Sequence, residues 1–474
     1  WKAASADHGP SVSLATRTDM RSGKLSEGTT ITEPGVAVDA QDSLAKWMES
    51  RSEPELLASR RREAWADWLA EPMPTRRLEE WRYTDISDLD PAAYSPVGST
   101  GDRARSKEDL PDPVREVLDS DRKRSAVFIQ HNGTVEHVRV DSDLAERGVL
   151  YAPIDEIAAN HPEILERFLF RSDVAPCEKK LWALHTAMLS GGYVLYVPKN
   201  VAVPHPVHAL RYIDEAGALF SSHSLIIAES GAEITCIDEY LSPDLDSESL
   251  SLNGVEIFGA ENAVVRYLAL QHYGRGVKHF SMQHANTGRD STLNVFNVTL
   301  GADLSRCDVS AHLLGPGSES EMLALWFGDR DQHFDHHTLQ NHAAPHARSD
   351  LLFKGALAGQ SHSVFRGLIR VAEGAQLTDA YQTNRNLLLS DQAEAVALPN
   401  LEIEADDVRC SHGATVGQVD ETQLFYLMSR GLSRPEAERL LVLGFFDEVL
   451  SRVPLEGTRE RIREAIELKI GLSR

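Results

Sequence analysis

Cysteine is scarce in this sequence: Cys177, Cys236, Cys307 and Cys410 are the only four, and no C-x-x-C pair occurs among them. Neither a zinc ribbon nor a ferredoxin-type cluster site can be read from that spacing, and reduced thiols in a cytoplasmic setting are the expectation. Long apolar runs are missing as well. The longest, Leu440 to Phe446, falls inside an amphipathic helical pattern and is too short to span a bilayer. Basic residues are outnumbered, with 48 Lys and Arg against 72 Asp and Glu, which gives a formal charge of -24. Affinity for nucleic acid comes from cations that neutralise phosphates, so this balance argues against such a partner and favours protein or metal partners. The sequence also lacks G-x-x-x-x-G-K-[ST], so any ATP hydrolysis must come from another chain. Gly-x-Ser-x-Gly and His-Glu-x-x-His are absent, which removes the commonest hydrolase readings. The nearest glycine-rich stretch, Gly315-Pro316-Gly317, reads as a turn.

What is present suits a large globular protein. At 474 residues with 42% hydrophobic and 25% charged side chains, two or three packed units are expected. Residues 1–41 lack periodicity and read as a flexible tail without a signal- or transit-peptide pattern. Residues 42–175 read as a mainly helical region: Leu44, Trp47, Met48, Leu56, Leu57, Trp65, Trp68 and Leu69 recur at helical spacing until Pro72 and Pro74. A linker is expected from Pro91 to Pro113, then a hairpin around Asn132-Gly133. Residues 176–416 change to many short strand-like segments, which suit a sandwich, a barrel or a β-helix. Residues 417–474 turn helical, with start signals at Asp420 and at Ser433 with Glu436, and a stop signal at Gly431. Their apolar stripe is Leu424, Leu427 and Met428, then Val442, Phe446, Val449, Leu450 and Val453, widened by Leu441 and Phe445.

Two constellations carry chemistry. Cys410 and His412 are two residues apart in a strand-like segment and point to the same face. A thiol and an imidazole together suit iron, zinc or copper, or a thiol activated by an imidazolium, or simply a packed cysteine beside a hydrogen-bonded histidine. The second is the run Asp331, His333, Asp335, His336, His337, His342 and His346. Within it His333, Asp335 and His337 share a strand face that Asp335 and His336 cannot share. That suits a two-histidine, one-carboxylate metal site, or stacked polar rungs on a solvated face.

The order of Arg385-Asn386-Leu387-Leu388-Leu389-Ser390-Asp391-Gln392-Ala393, Pro399-Asn400-Leu401-Glu402-Ile403, the Asp406 to Gly417 run and Gln423 to Gly431 resembles the carboxy-terminal signature of the SufB/SufD family of iron-sulfur cluster assembly subunits. Upstream, Tyr193 to Val201 and Arg77-Leu78-Glu79-Glu80-Trp81-Arg82-Tyr83-Thr84 resemble further family segments. His412 and Leu388-Leu389-Ser390-Asp391 favour the SufD branch over SufB, which carries a glutamate at the corresponding place and a cysteine segment not found here.

The resemblance implies a right-handed parallel β-helix core with helical regions at both ends, acting as a non-ATPase scaffold without enzymatic activity in a SufB-SufC-SufD complex. It implies a cluster assembly site at the SufB contact built from His412 with Cys410 beside it, and a part in iron acquisition. It implies a SufC contact in the carboxy-terminal helices, expected at Leu427, Met428, Phe445 and Phe446. No tightly bound intrinsic cofactor is expected, only iron or a transient cluster shared with SufB. A homodimer is expected for the chain alone, with no nucleic acid and no membrane partner. By the same resemblance, His333, Asp335 and His337 are expected near the subunit contact as interface or secondary iron residues. The competing readings are a SufB-like scaffold paralogue, a metal-dependent enzyme using that triad, or an adaptor that is only structural.

Overall fold

The computed structural model describes residues 43–98, 110–119 and 123–472. The tail expected at 1–41 and the middle of the expected linker lie outside the described residues.

From Gly191 onward the chain lays strands alternately into two sheets. The first runs, in spatial order, through Leu150–Pro153, Gly191–Val197, Ala218–Ala228, Ser249–Gly259, Val277–Thr287, Leu304–Leu313, His333–His342, His362–Val371 and Glu394–Ile403. The second runs through Thr134–Val140, Ala126–His131, Val207–Tyr212, Glu233–Leu241, Val264–His272, Thr292–Thr299, Glu319–Gly328, Arg348–Leu357, Asp379–Leu388 and Arg409–Gln418. From Gly191 on, each strand pairs in parallel with the strand two elements later, which makes a parallel β-solenoid of about eight turns. The fold class expected from the sequence is therefore present. Two antiparallel pairs, Ala126–His131 with Thr134–Val140 and Leu150–Pro153 with Gly191–Val197, close its amino-terminal end. Asn132 and Gly133 join the first pair at φ of 45° and 77°, the double left-handed turn that matches strand twist.

One corner of each rung recurs in the same backbone conformation. Asn200, Gly231, Asn262, Asp290, Gly317, His346 and Leu377 all have positive φ, and each donates its N–H to a carbonyl at the corner of the following rung. Gly, Asn and Asp tolerate that conformation, whereas His346 and Leu377 hold it under steric strain.

Both faces of each sheet are covered over much of their length, so the strands carry apolar residues on both sides instead of alternating cleanly. Val255, Val265, Val295, Phe334, Phe353 and Phe365 fill the interior. On the outer face of the first sheet, Leu250, Leu252, Phe280 and Met282 pack under Trp68 and Trp81, under Leu184 of Lys179–Ala187 and under Met188 just after it. On the outer face of the second, Leu268, Phe296, Leu323, Leu325 and Leu352 pack against Val442, Phe446, Val449 and Leu450 of Arg434–Leu450 and Ile462, Ile466 and Ile470 of Glu456–Leu472. Helical spacing in the amino-terminal region resolves into residues 43–49 and Glu55–Ala70, which ends before Pro72. Among the described residues no helix is long and apolar enough to cross a membrane.

Candidate functional site

The last rung is formed by Glu394–Ile403 and Arg409–Gln418, each ten residues long and each the terminal strand of its sheet. Residues of Arg409–Gln418 are mostly exposed, and among the described residues its outer edge carries no neighbouring strand. Long edge strands with unpaired N–H and C=O groups are templates for another chain. Cys410 and His412 sit on this strand, in register with Ala380 and Gln382. Those two partners are buried, so Cys410 and His412 belong to the inward-facing set of the solenoid at the point where it opens. Cys410 is half-buried and packs with Ile369, Val371, Ala375 and Ala405. Burial pushes its thiol pKa up and the Asp379 carboxylate pushes it further, so it is a protonated thiol at neutral pH and not the activated thiolate the sequence left open. His412 is exposed.

The triad His333, Asp335 and His337 does share the outer face of one strand, as expected, but its ligands are protein groups. Asp335, 1% exposed, lies 3.0 Å from Arg306 Nη1 and 2.9 Å from His337 Nε2. Thr84 donates its hydroxyl proton to Asp335 Oδ2 (2.6 Å), which leaves the Thr84 oxygen to accept from His333 Nε2 (2.9 Å). Arg306 also pairs with Asp308 (2.8 Å), donates to the Glu80 carbonyl (2.9 Å) and lies 3.8 Å from the Trp81 ring centroid. Burial pushes the Asp335 carboxyl pKa up, but His337 and Arg306, with hydrogen bonds from His337 and Thr84, hold it well below the usual carboxylate range. A guanidinium thus occupies the place a metal would take, and among the described residues no group of three or more His, Cys, Asp or Glu is arranged to hold a metal ion. In this structure the triad is the socket into which Trp81 and Thr84 of the amino-terminal motif dock. The remaining members scatter. His336 points inward and stacks on Trp326 at 4.4 Å, His342 lies inside against Ser349 (2.7 Å), Asp331 pairs with Arg275 (2.5 Å), and His346 is a rung corner.

The carboxy-terminal helices open as the sequence indicates. Asp420 caps Glu421–Ser429 through Thr422 and Gln423, and Ser433 with Glu436 forms a complete capping box for Arg434–Leu450. Of the four residues expected to meet a partner, Met428 is exposed, Leu427 and Phe445 are half-buried, and Phe446 is fully buried in the contact with the second sheet. Phe446 is therefore core, because its helix must cover the apolar face of the sheet before it can serve anything else. Phe425, 71% exposed, and Tyr426, 56% exposed, were missed. Their signal was available: a Phe-Tyr pair on a short helix whose single buried residue, Leu424, already satisfies the packing.

Two sequence profiles match most of the chain. The profile of the SUF system FeS cluster assembly SufBD core domain matches residues 211–445, and that of the SufBD protein N-terminal region matches residues 42–209. The iron-sulfur cluster assembly protein SufD of Bacillus subtilis is 31% identical over 440 residues, covering 91% of this chain and 98% of that protein. An iron-sulfur cluster assembly SufBD family protein of Pyrococcus horikoshii is 29% identical over 454 residues, covering 94% and 99%. Another, from Synechocystis, is 29% identical over 429 residues, covering 88% and 92%. With a β-solenoid core, an amino-terminal segment seated on it and similarity along nearly its whole length, the chain belongs to the SufBD family of iron-sulfur cluster assembly proteins and is SufD-like.

Proposed function

We propose that the chain is the non-ATPase, SufD-type subunit of a cytoplasmic SUF complex, joined to a SufB-like subunit at its last rung and to a SufC-like ATPase through its carboxy-terminal helices. It acts as a scaffold and not as an enzyme. His412, with Cys410 beside it, contributes to the cluster assembly site at the SufB contact, and iron and the nascent cluster are the cargo.

The observation that carries this reading is the position of His412: an imidazole on the inner face of a solenoid end that, among the described residues, has no further strand over it. A strand from a second solenoid added there brings its own side chains against His412 and Cys410. An imidazole and a thiol drawn from separate chains make a mixed ligand set, which suits a cluster that must be released. Exposed Phe425, Tyr426 and Met428 support the SufC contact, since aromatic residues are enriched in interface cores. Four free cysteines support the reducing compartment.

The test is co-expression with SufB and SufC partners and anaerobic purification. Alanine can neither ligate iron nor orient a thiolate, so His412→Ala is expected to leave the complex assembled but empty of iron and sulfide. Cys410→Ser is expected to do less if the thiol is a neighbour and as much if it ligates. Wild-type iron, sulfide and visible absorption in the His412→Ala complex overturn the reading.

A further inference from the structure

The solenoid interior turns polar in its last rungs. Gln382, Asn384 and Asn386 line the inner face of Asp379–Leu388, and all three are buried. Two of them satisfy each other or the backbone: Asn386 Nδ2 donates to Asn384 Oδ1 (2.7 Å), and Asn384 Nδ2 donates to the Phe353 carbonyl (3.2 Å). Gln382 is different. Its Nε2 donates to the Asn400 carbonyl (3.3 Å), whereas its Oε1, shielded from solvent, has no hydrogen-bond partner among the described residues. Buried acceptors are rarely left unpaired, so this oxygen calls for a donor.

Strand register indicates which donor, and a second feature fixes where the oxygen lies. Gln382 is the ladder partner of His412, so the two side chains share the inner face on strands about 4.8 Å apart. That distance lets an imidazole N–H reach an amide oxygen. The other feature is Gly367 on the facing sheet, where an added Cβ would come 2.3 Å from Gln382 Oε1. Glycine at that position is what permits the amide oxygen to occupy its present place.

The geometry points to Gln382 as the positioning residue for His412: a turn of the exposed ring toward the rung interior lets Oε1 accept one ring N–H of His412, which fixes the ring and leaves the second ring nitrogen to face out of the open rung toward iron. The hydrogen bond stands on the register and the unpaired oxygen alone; its use toward iron rests on the proposed role of His412. Metal-binding histidines commonly donate their other N–H to such an acceptor, which sets the tautomer and the ring orientation.

The test uses the full chain labelled with 15N at histidine, with the His412 ring signal assigned by its loss in His412→Ala. In the wild type the bonded ring N–H is expected to exchange slowly and be visible in the 1H–15N spectrum. Gln382→Leu removes the acceptor and is expected to abolish the signal, while Gln382→Glu keeps an acceptor and is expected to retain it. A signal unchanged in Gln382→Leu, or absent from the wild type, overturns the inference. Should Gln382→Leu not fold, Gly367→Ala displaces the oxygen without deleting it; loss of the signal then supports the inference and its persistence overturns it. In the anaerobically purified complex with SufB and SufC partners, Gln382→Leu is expected to lower iron content about tenfold or more, with recovery in Gln382→Glu. Full loading in His412→Ala sinks the assembly reading and leaves the N–H result to decide the hydrogen bond. An empty His412→Ala complex beside a fully loaded Gln382→Leu complex sinks the inference alone.

Discussion

Asp335 joins two parts of the chain that lie far apart in sequence. Its carboxylate receives Thr84 from the amino-terminal motif and Arg306 from the neighbouring strand, and Arg306 in turn lies against Trp81. Removing one member of a buried ion pair leaves the other charge unpaired and costs about 3–5 kcal/mol. Asp335→Ala is therefore expected to lower the urea midpoint and to open the 76–84 segment to protease, whereas Thr84→Val, which deletes the hydroxyl shared by Asp335 and His333, costs about 1–3 kcal/mol. If Asp335→Ala leaves both the midpoint and the cleavage pattern unchanged, the docking interaction contributes nothing to stability. The shared face of His333, Asp335 and His337 was legible because strand periodicity is local. Arg306 was not legible, because the partner that turns a metal-like triad into an ion-pair socket comes from the preceding rung, in a register that only strand pairing sets.

Helices at the carboxy terminus divide into two that anchor, Arg434–Leu450 and Glu456–Leu472, and one that presents. Arg434–Leu450 is fixed to the second sheet by Phe446, Val449 and Leu450 and by Glu448, which pairs with Lys354 (2.5 Å) and Arg385 (3.0 Å). Glu421–Ser429 buries only Leu424 and exposes Phe425 and Met428, three residues apart on one face. Phe425→Glu or Met428→Glu is expected to abolish binding of a SufC-type partner with an unchanged thermal melt. Phe446→Ala is expected to cost about 3–5 kcal/mol of stability instead. A melt that collapses in Met428→Glu, or binding that survives Phe425→Glu, contradicts this division. Both capping motifs were legible, since each is satisfied within a few residues of itself. Which part of the apolar stripe faces outward was not legible, because the second sheet claims one side of the helix and the sequence pattern does not say which.

Across the whole molecule, histidines placed inside the solenoid make stability fall on mild acidification. Burial pushes the pKa of His279 down to about 3, and those of His336 and His342 down to about 4. An unfolded histidine titrates near about 6.5. Folded-state values are depressed, so between about 6.5 and about 4 the unfolded chain takes up protons that the folded chain refuses, and each group removes about 1.4 kcal/mol per pH unit. Below that window their contribution stays lost, and Asp335 adds a further loss as pH falls below the ordinary carboxylate range of about 4. Melting temperatures are expected to decline steadily from pH 6.5 to 4, with a shallower slope in His336→Phe or His342→Leu; identical slopes in wild type and variants contradict it. Sequence alone determined the family resemblance, the helical ends, the hairpin turn and the caps, each of which is written in neighbouring residues. The rung repeat escaped it. Leu304 pairs with His333, His333 with His362 and His362 with Glu394, so the turn length is not constant and the position is filled by Leu, His, His and Glu in turn. Even the recurring corner is shared as a backbone conformation occupied by Asn, Gly, Asp, His and Leu in turn. Only the tertiary structure decided that His412 lies over Gln382 at an open end and that Arg306 fills the triad, because parallel pairing joins residues a full rung apart and a side chain's neighbours are set by that register.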